Sequence, residues 1–138
     1  MKKINTNKNS VLDGIDNNLP ELQKAVELTI NAAEIGFDWP TIEPVFSKME
    51  EELIELKEAI EKASPELIKD ELGDVLFVCC NLARHLQLDP KTALAHANNK
   101  FEKRFRKIEQ LANKNYGPKD SYGLDLLENL WIKVKKEE

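Results

Sequence analysis

KMEEELIELKEAIEKASPELIKDELGD, residues 48–74, is the stretch from which the fold can be read. It carries two carboxylate clusters, Glu51, Glu52 and Glu55 first, then Glu71 and Asp74. Ser64-Pro65 interrupts the segment between them, so the stretch reads as two helices folded back on each other. At helical spacing Glu52 and Glu55 share one face, and Glu71 and Asp74 share another. Four acids facing one another across a hairpin repel. A divalent cation between them removes that repulsion, and an all-oxygen ligand set suits a hard ion such as Mg²⁺. The competing reading is an ordinary solvated acidic surface, because acidic helices often produce either cluster alone.

The first helix of the hairpin is expected over about 41–63. Its apolar stripe is Ile42, Val45, Phe46, Met49, Leu53, Leu56 and Ile60. Glu52 lies one turn from both Met49 and Leu56, so it borders this stripe, whereas Glu50, Glu58 and Glu61 suit a solvated face. The second helix is expected over about 65–87. Its VLFVCCNLA run, residues 75–83, is apolar nearly all round and predicts a helix surrounded by others. Gly73 between the two acids suggests a closely approaching neighbour or ligand.

Upstream, residues 1–18 are polar and read as a flexible arm, followed by a helix from near Pro20 to Gly36. Phe37-Asp38-Trp39-Pro40 then reads either as a packed corner or as one wall of a ligand pocket. Downstream, Asp89-Pro90 opens a fourth helix reaching about Lys114, with Leu94, Ala97, Phe101, Phe105, Ile108 and Leu111 as its buried stripe. Lys100, Lys103, Arg104 and Lys107 give it a basic face, either solvated or a clamp for phosphate. After a loop at 115–123, a short last helix over 124–136 carries Trp131, a docking anchor or a surface on which a base could stack. About five helices and no strand pattern predict an all-α fold.

The 138 residues fit one domain, assigned to 19–138 beyond the arm, and 41% hydrophobic content can furnish a core. A net charge of −5 argues against a nucleic-acid partner. Cys79 and Cys80 are adjacent in an apolar run, unsuited to bridging each other, and read as buried core residues of a reducing compartment. No apolar run is long enough for a membrane span, and none follows the basic N-terminal pair, so neither membrane nor secretory signal is expected and a cytoplasmic setting follows. There is no phosphate-loop or dinucleotide motif, no HExxH, no zinc spacing of cysteines and no nucleophile motif. His85 and His96 do not complete ExxH pairs and read as structural.

The pairing is more informative than its parts: EELIE at 51–55, a 15-residue spacer, then ELGD at 71–74. This resembles the EExxE…ExxD pattern of all-α nucleoside triphosphate pyrophosphohydrolases, and most closely the MazG type. GFDW at 36–39, NLARHL at 81–86 and NNKFEKRFRKIE at 98–109 extend the likeness to the catalytic C-terminal half of two-domain MazG proteins, from about residue 19 onward. The resemblance implies a four-helix-bundle-like protomer, completed by a homodimer or a dimer of dimers. It implies hydrolysis of a nucleoside triphosphate between the α and β phosphorus, giving monophosphate and pyrophosphate, as in the house-cleaning of aberrant nucleotides. It implies Mg²⁺, with Mn²⁺ as a substitute, held by Glu52, Glu55, Glu71 and Asp74, bridging triphosphate oxygens and lowering the pKa of a bound water. Glu51 would orient or deprotonate that water. Lys48, Lys100, Lys103 and Arg104 would neutralise the triphosphate, and Trp131 would contact the nucleotide. Narrower dUTP, dCTP or phosphoribosyl-ATP hydrolases share the superfamily. A non-catalytic oligomerisation module, or a nucleic-acid binder using the fourth helix, would be the alternatives outside it.

Overall fold

Prolines and short polar side chains set the helix boundaries. A computed structural model describes residues 9–138 as five helices: α1 (Glu21–Glu34), α2 (Glu43–Glu61), α3 (Pro65–His85), α4 (Pro90–Tyr116) and α5 (Leu124–Lys136). Ser64 caps α3, its Oγ accepting from the Leu67 N–H at 3.4 Å, with Pro65 in the first turn where a missing N–H costs nothing. Asp89 does the same for α4, accepting from the Lys91 N–H at 2.9 Å and the Thr92 hydroxyl at 3.2 Å. Gly36, at φ 99°, closes α1 in a Schellman turn, with Gly36 N–H donating to the Ala33 carbonyl and Phe37 N–H to that of Ala32.

The N-terminal stretch expected as an arm lies partly outside the described residues, at positions 1–8. Its remainder makes local turns. The Ser10 hydroxyl accepts from the Leu12 N–H and Asp13 from the Ser10 N–H, both at 3.1 Å, and Asp16 accepts from the Asn18 N–H at 2.9 Å. Short Ser, Asp and Asn side chains favour such turns. The Asn31 amide on α1 then donates to the Val11 carbonyl at 2.9 Å, tying this stretch to the first helix.

The chain divides into two compact units, Met1–Thr92 and Ala93–Glu138, with the division inside α4. In the first unit, α2 and α3 pack together as the expected hairpin and α1 packs on α3. Val45 and Ala59 of α2 are buried, as are Val78, Cys80 and Asn81 of α3. The apolar faces are wider than the hairpin covers. Phe46, Leu53 and Ile60 of α2 stay exposed, as do Leu72, Leu76 and Phe77 of α3, although the sequence read α3 as surrounded. Cys79 is exposed too, so only Cys80 of the pair is a core residue. Neighbouring helix positions point about 100° apart, so the face that buries Cys80 leaves Cys79 pointing elsewhere. A Cβ on Gly73 would meet nothing within 4 Å, so among the described residues no close neighbour requires a glycine there.

In the second unit, Ile108 and Ala112 of α4 and Leu130 and Val134 of α5 form the buried core, with Leu111, Leu126, Leu127 and Trp131 packed against it. The Tyr122 hydroxyl donates to the Gly117 carbonyl at 2.7 Å, closing the loop between the two helices. Of the stripe expected to be buried along α4, Ile108 is buried, whereas Leu94, Phe101 and Phe105 are exposed, Phe101 although it touches Trp131 of α5. No helix among the described residues is long and apolar enough to cross a membrane.

Candidate active site

The periodicity that buries Val45 and Ala59 also turns Glu52 toward α3, where it is only 5% exposed. A glutamate so placed needs a reason, since burying a carboxylate without full compensation is costly. Lys48, one turn earlier on α2, supplies part of it, with its ammonium 3.0 Å from Glu52 Oε1 and 3.3 Å from Glu51 Oε1. The hydrogen bond to Glu52 is the main reason the Lys48 pKa is raised. Glu52 Oε2, however, is buried with no hydrogen-bond partner, and so is Glu71 Oε2 on the facing helix.

These orphaned oxygens belong to a cluster. Glu52, Glu55 and Glu71 each offer a carboxylate oxygen, all within 4.8 Å of one another, and Asp70, Glu71 and Asp74 form a second such group sharing Glu71. Burial, a hydrogen bond with Glu52, and the charges of Glu52 and Glu71 push Glu55 up to about 7. Asp74 is also raised, by burial first and then by the charges of Glu52 and Asp70, with Lys48 opposing. A site that drives carboxylates toward holding protons has an unmet demand for positive charge. The donor set and the two unpartnered oxygens fit a hard divalent cation.

Of the four expected ligands, Glu52, Glu55 and Glu71 share one group, and Asp74 meets Glu71 in the other, with Lys48 paired to Glu52 and Glu51. Asp70 was not singled out in the sequence; its signal is the i, i+4 spacing to Asp74. The other expected substrate contacts, Lys100, Lys103, Arg104 and Trp131, lie in the second unit. Lys100 and Lys103 are exposed on α4. Arg104 is held by Glu138, which accepts from its Nε and Nη2 at 2.7 Å each. That pairing is the main cause of the lowered Glu138 pKa, with Lys107 and Lys103 adding to it. The guanidinium also sits 5.5 Å from the Trp131 ring centroid, and Phe101 packs against the same ring at 5.6 Å. Trp131 is therefore an anchor between α4 and α5.

A helical hairpin that gathers carboxylates, two of their oxygens buried without a partner, defines an all-α protein with groups that could hold a metal ion. Residues 41–108, which include both clusters, match the MazG nucleotide pyrophosphohydrolase domain. It is similar to a nucleoside triphosphate pyrophosphohydrolase of Escherichia coli K12, 38% identical over 94% of this chain and 50% of the relative. It is also similar to the nucleoside triphosphate pyrophosphohydrolase/pyrophosphatase MazG of Thermotoga maritima, 40% identical over 93% of this chain and 49% of the relative. Protein YabN of Bacillus subtilis is 36% identical over 97% of this chain and 28% of its own length. The chain spans about half the length of the first two of these curated relatives, or less.

Proposed function

We propose that this chain hydrolyses nucleoside triphosphates to nucleoside monophosphate and pyrophosphate, using Mg²⁺ held by Glu52, Glu55, Glu71 and Asp74. The observation that carries the reading is the pair of buried, unpartnered carboxylate oxygens on facing helices, Glu52 Oε2 and Glu71 Oε2. When bound, the ion would offset the crowded negative charge and act as a Lewis acid toward polyphosphate oxygens. Manganese, with the same oxygen preference, would substitute.

The chain's own residues divide the remaining work. Lys48 holds Glu51 and Glu52 in place through its two ion pairs. Glu51, exposed at the edge of the cluster, would accept a proton from the attacking water as the water oxygen bonds the α-phosphorus and the bond to the bridging oxygen breaks. Pyrophosphate leaves carrying the displaced charge. Lys100, Lys103 and Arg104 would bind triphosphate oxygens, with Trp131 stacking on Arg104 to hold its plane. Arg104 would exchange Glu138 for phosphate on binding.

The assay is pyrophosphate release from each ribo- and deoxynucleoside triphosphate with Mg²⁺. Release from several bases supports the general activity. Turnover confined to dUTP, dCTP or phosphoribosyl-ATP narrows the substrate, and no release from any overturns the proposal.

The second component is a homodimer or dimer of dimers. Leu72, Leu76 and Phe77 on α3 and Phe46, Leu53 and Ile60 on α2 stay exposed, and a monomer seldom leaves so much apolar surface uncovered. Helices from a second copy would complete the bundle. Leu76→Glu, at a position 53% exposed in one chain, should therefore shift the protein to monomer in light scattering without unfolding it. An unchanged mass would remove this surface as the interface.

A further inference from the structure

Of the cations on the basic face of α4, Lys100, Lys103 and Lys107 are exposed, whereas the Arg104 side chain is only 13% exposed. A guanidinium so covered needs an anion beside it. Its own helix supplies none, because the positions one turn away hold Lys100, Phe101, Lys107 and Ile108. The anion is Glu138, 34 residues on, whose Oε1 accepts from Arg104 Nε and whose Oε2 accepts from Nη2, each at 2.7 Å. Arginine grips phosphate with the same fork. Trp131 holds the guanidinium plane from one side, with its ring centroid at 5.5 Å. Lys107 and Lys103 add their charge to the Arg104 hydrogen bond in holding the Glu138 carboxyl below its usual range.

Glu138 is tethered loosely. It follows α5, which ends at Lys136, and is no part of the core formed by Ile108, Ala112, Leu130 and Val134. Its side chain is 37% exposed, and its backbone N–H reaches the Lys135 carbonyl only at 3.4 Å. A second long-range arginine–carboxylate fork, in the first unit, is built differently. Asp38 accepts from Arg84 Nη2 at 2.7 Å and from Nη1 at 3.0 Å, and hydrogen bonding to Arg84 is the main cause of the lowered Asp38 pKa. There the buried Asn81 also accepts from Arg84, and Asp38 also accepts from the Trp39 backbone N–H. That fork is braced on both sides, as a structural tie is. Among the described residues Arg104 has no second acceptor, so an anion that replaces Glu138 takes over the whole fork.

We propose that Glu138 is an autoinhibitory latch: its carboxylate fills a phosphate position on Arg104, and polyphosphate binds there by displacing it. The inference rests on the reading of Arg104 as a phosphate ligand and adds how that ligand is kept occupied between turnovers. A latch that is mostly closed lowers the apparent affinity for any polyphosphate that uses Arg104, in proportion to the fraction of molecules in which it is open. Pyrophosphate meets the same competitor after hydrolysis, so the return of Glu138 to Arg104 favours its departure.

The experiment titrates inorganic tripolyphosphate into the full chain and its variants by calorimetry in Mg²⁺ buffer, a readout that needs no hydrolysis of a nucleotide. Glu138→Gln keeps the size of the side chain, removes its charge, and should tighten tripolyphosphate binding about fivefold, the scale on which a forked surface ion pair competes. Glu137→Gln removes the same charge from an exposed neighbour that does not bond Arg104, and should leave binding unchanged. In an Arg104→Gln background the gain from Glu138→Gln should vanish. In turnover, Glu138→Gln should lower KM for a nucleoside triphosphate by the same factor and make pyrophosphate a stronger inhibitor. Equal gains from Glu137→Gln and Glu138→Gln would reduce the effect to net charge and overturn the inference. So would unchanged or weaker tripolyphosphate binding in Glu138→Gln, whether or not the chain hydrolyses nucleotides. The expected pattern of binding in a chain that hydrolyses nothing would keep the latch and overturn the activity.

Discussion

Glu52→Gln and Glu71→Gln should each lower pyrophosphate release by about a hundredfold or more and, at the same time, raise the melting temperature of the metal-free protein. The two effects have one cause. Each substitution keeps the size of the side chain and removes a charge whose Oε2 is buried without a partner. Without metal, that charge is a cost, because a buried unpaired carboxylate oxygen lacks what water gave it. A glutamine amide would instead donate to a neighbouring carboxylate, since Glu52, Glu55 and Glu71 place oxygens within 4.8 Å of one another. Glu52→Gln gives up the ion pair with Lys48, but Lys48 keeps Glu51 at 3.3 Å. A gain of about 1 kcal/mol, a few degrees in a chain of this length, is the expected balance. With metal and nucleotide the sign reverses: one anionic ligand is missing where polyphosphate charge must be held, and lost electrostatic stabilisation of this kind costs about a hundredfold or more in rate. Differential scanning fluorimetry and a pyrophosphate assay on the same preparations read both. Variants with full activity would end the metal assignment, and variants with lower metal-free stability would show that the acids do not strain one another.

What the sequence made visible follows from the range of each signal. Helix ends were legible because their causes are local: Ser64 followed by Pro65, Asp89 followed by Pro90, and Gly36 where the chain needs positive φ. The acid cluster was legible because three-residue spacing fixes a helical face and the Ser64-Pro65 break folds one face against the other. Asp70 escaped notice because an acid one turn from Asp74 looks the same on a solvated surface. The Asp38–Arg84 tie joins residues 46 apart, and the Arg104–Glu138 tie joins residues 34 apart; no local pattern announces either. Exposure of Leu53 and Leu76 had a different cause. Periodicity shows that a face is apolar, whereas what covers it depends on elements that one hairpin does not contain.

Mg²⁺ should raise the melting temperature, and by an amount that depends on pH in a way the carboxylates dictate. An ion present at a hundred times its Kd stabilises the folded state by about 2.7 kcal/mol, on the order of 10 °C here. In the metal-free protein Glu55 is pushed up to about 7 from an ordinary 4.5. Between those values the folded chain holds a proton that the unfolded chain has lost, so metal-free stability falls as pH rises through that window and levels off above it. Asp74 is raised as well and adds to the same slope. Asp38 is lowered, so its contribution is present above 3.8 and is lost only at more acid pH, where it does not interfere. Bound Mg²⁺ needs the ionised carboxylates and competes with their protons. The stabilisation it brings should therefore grow from pH 5 to 7.5, and binding should release protons into a weakly buffered solution near pH 6.5. Glu55→Gln should flatten the metal-free pH slope and shrink the Mg²⁺ response together. If the slope persists in that variant, protons are held elsewhere. If Mg²⁺ stabilises equally at both ends of the pH range, the ion binds at a site other than these carboxylates.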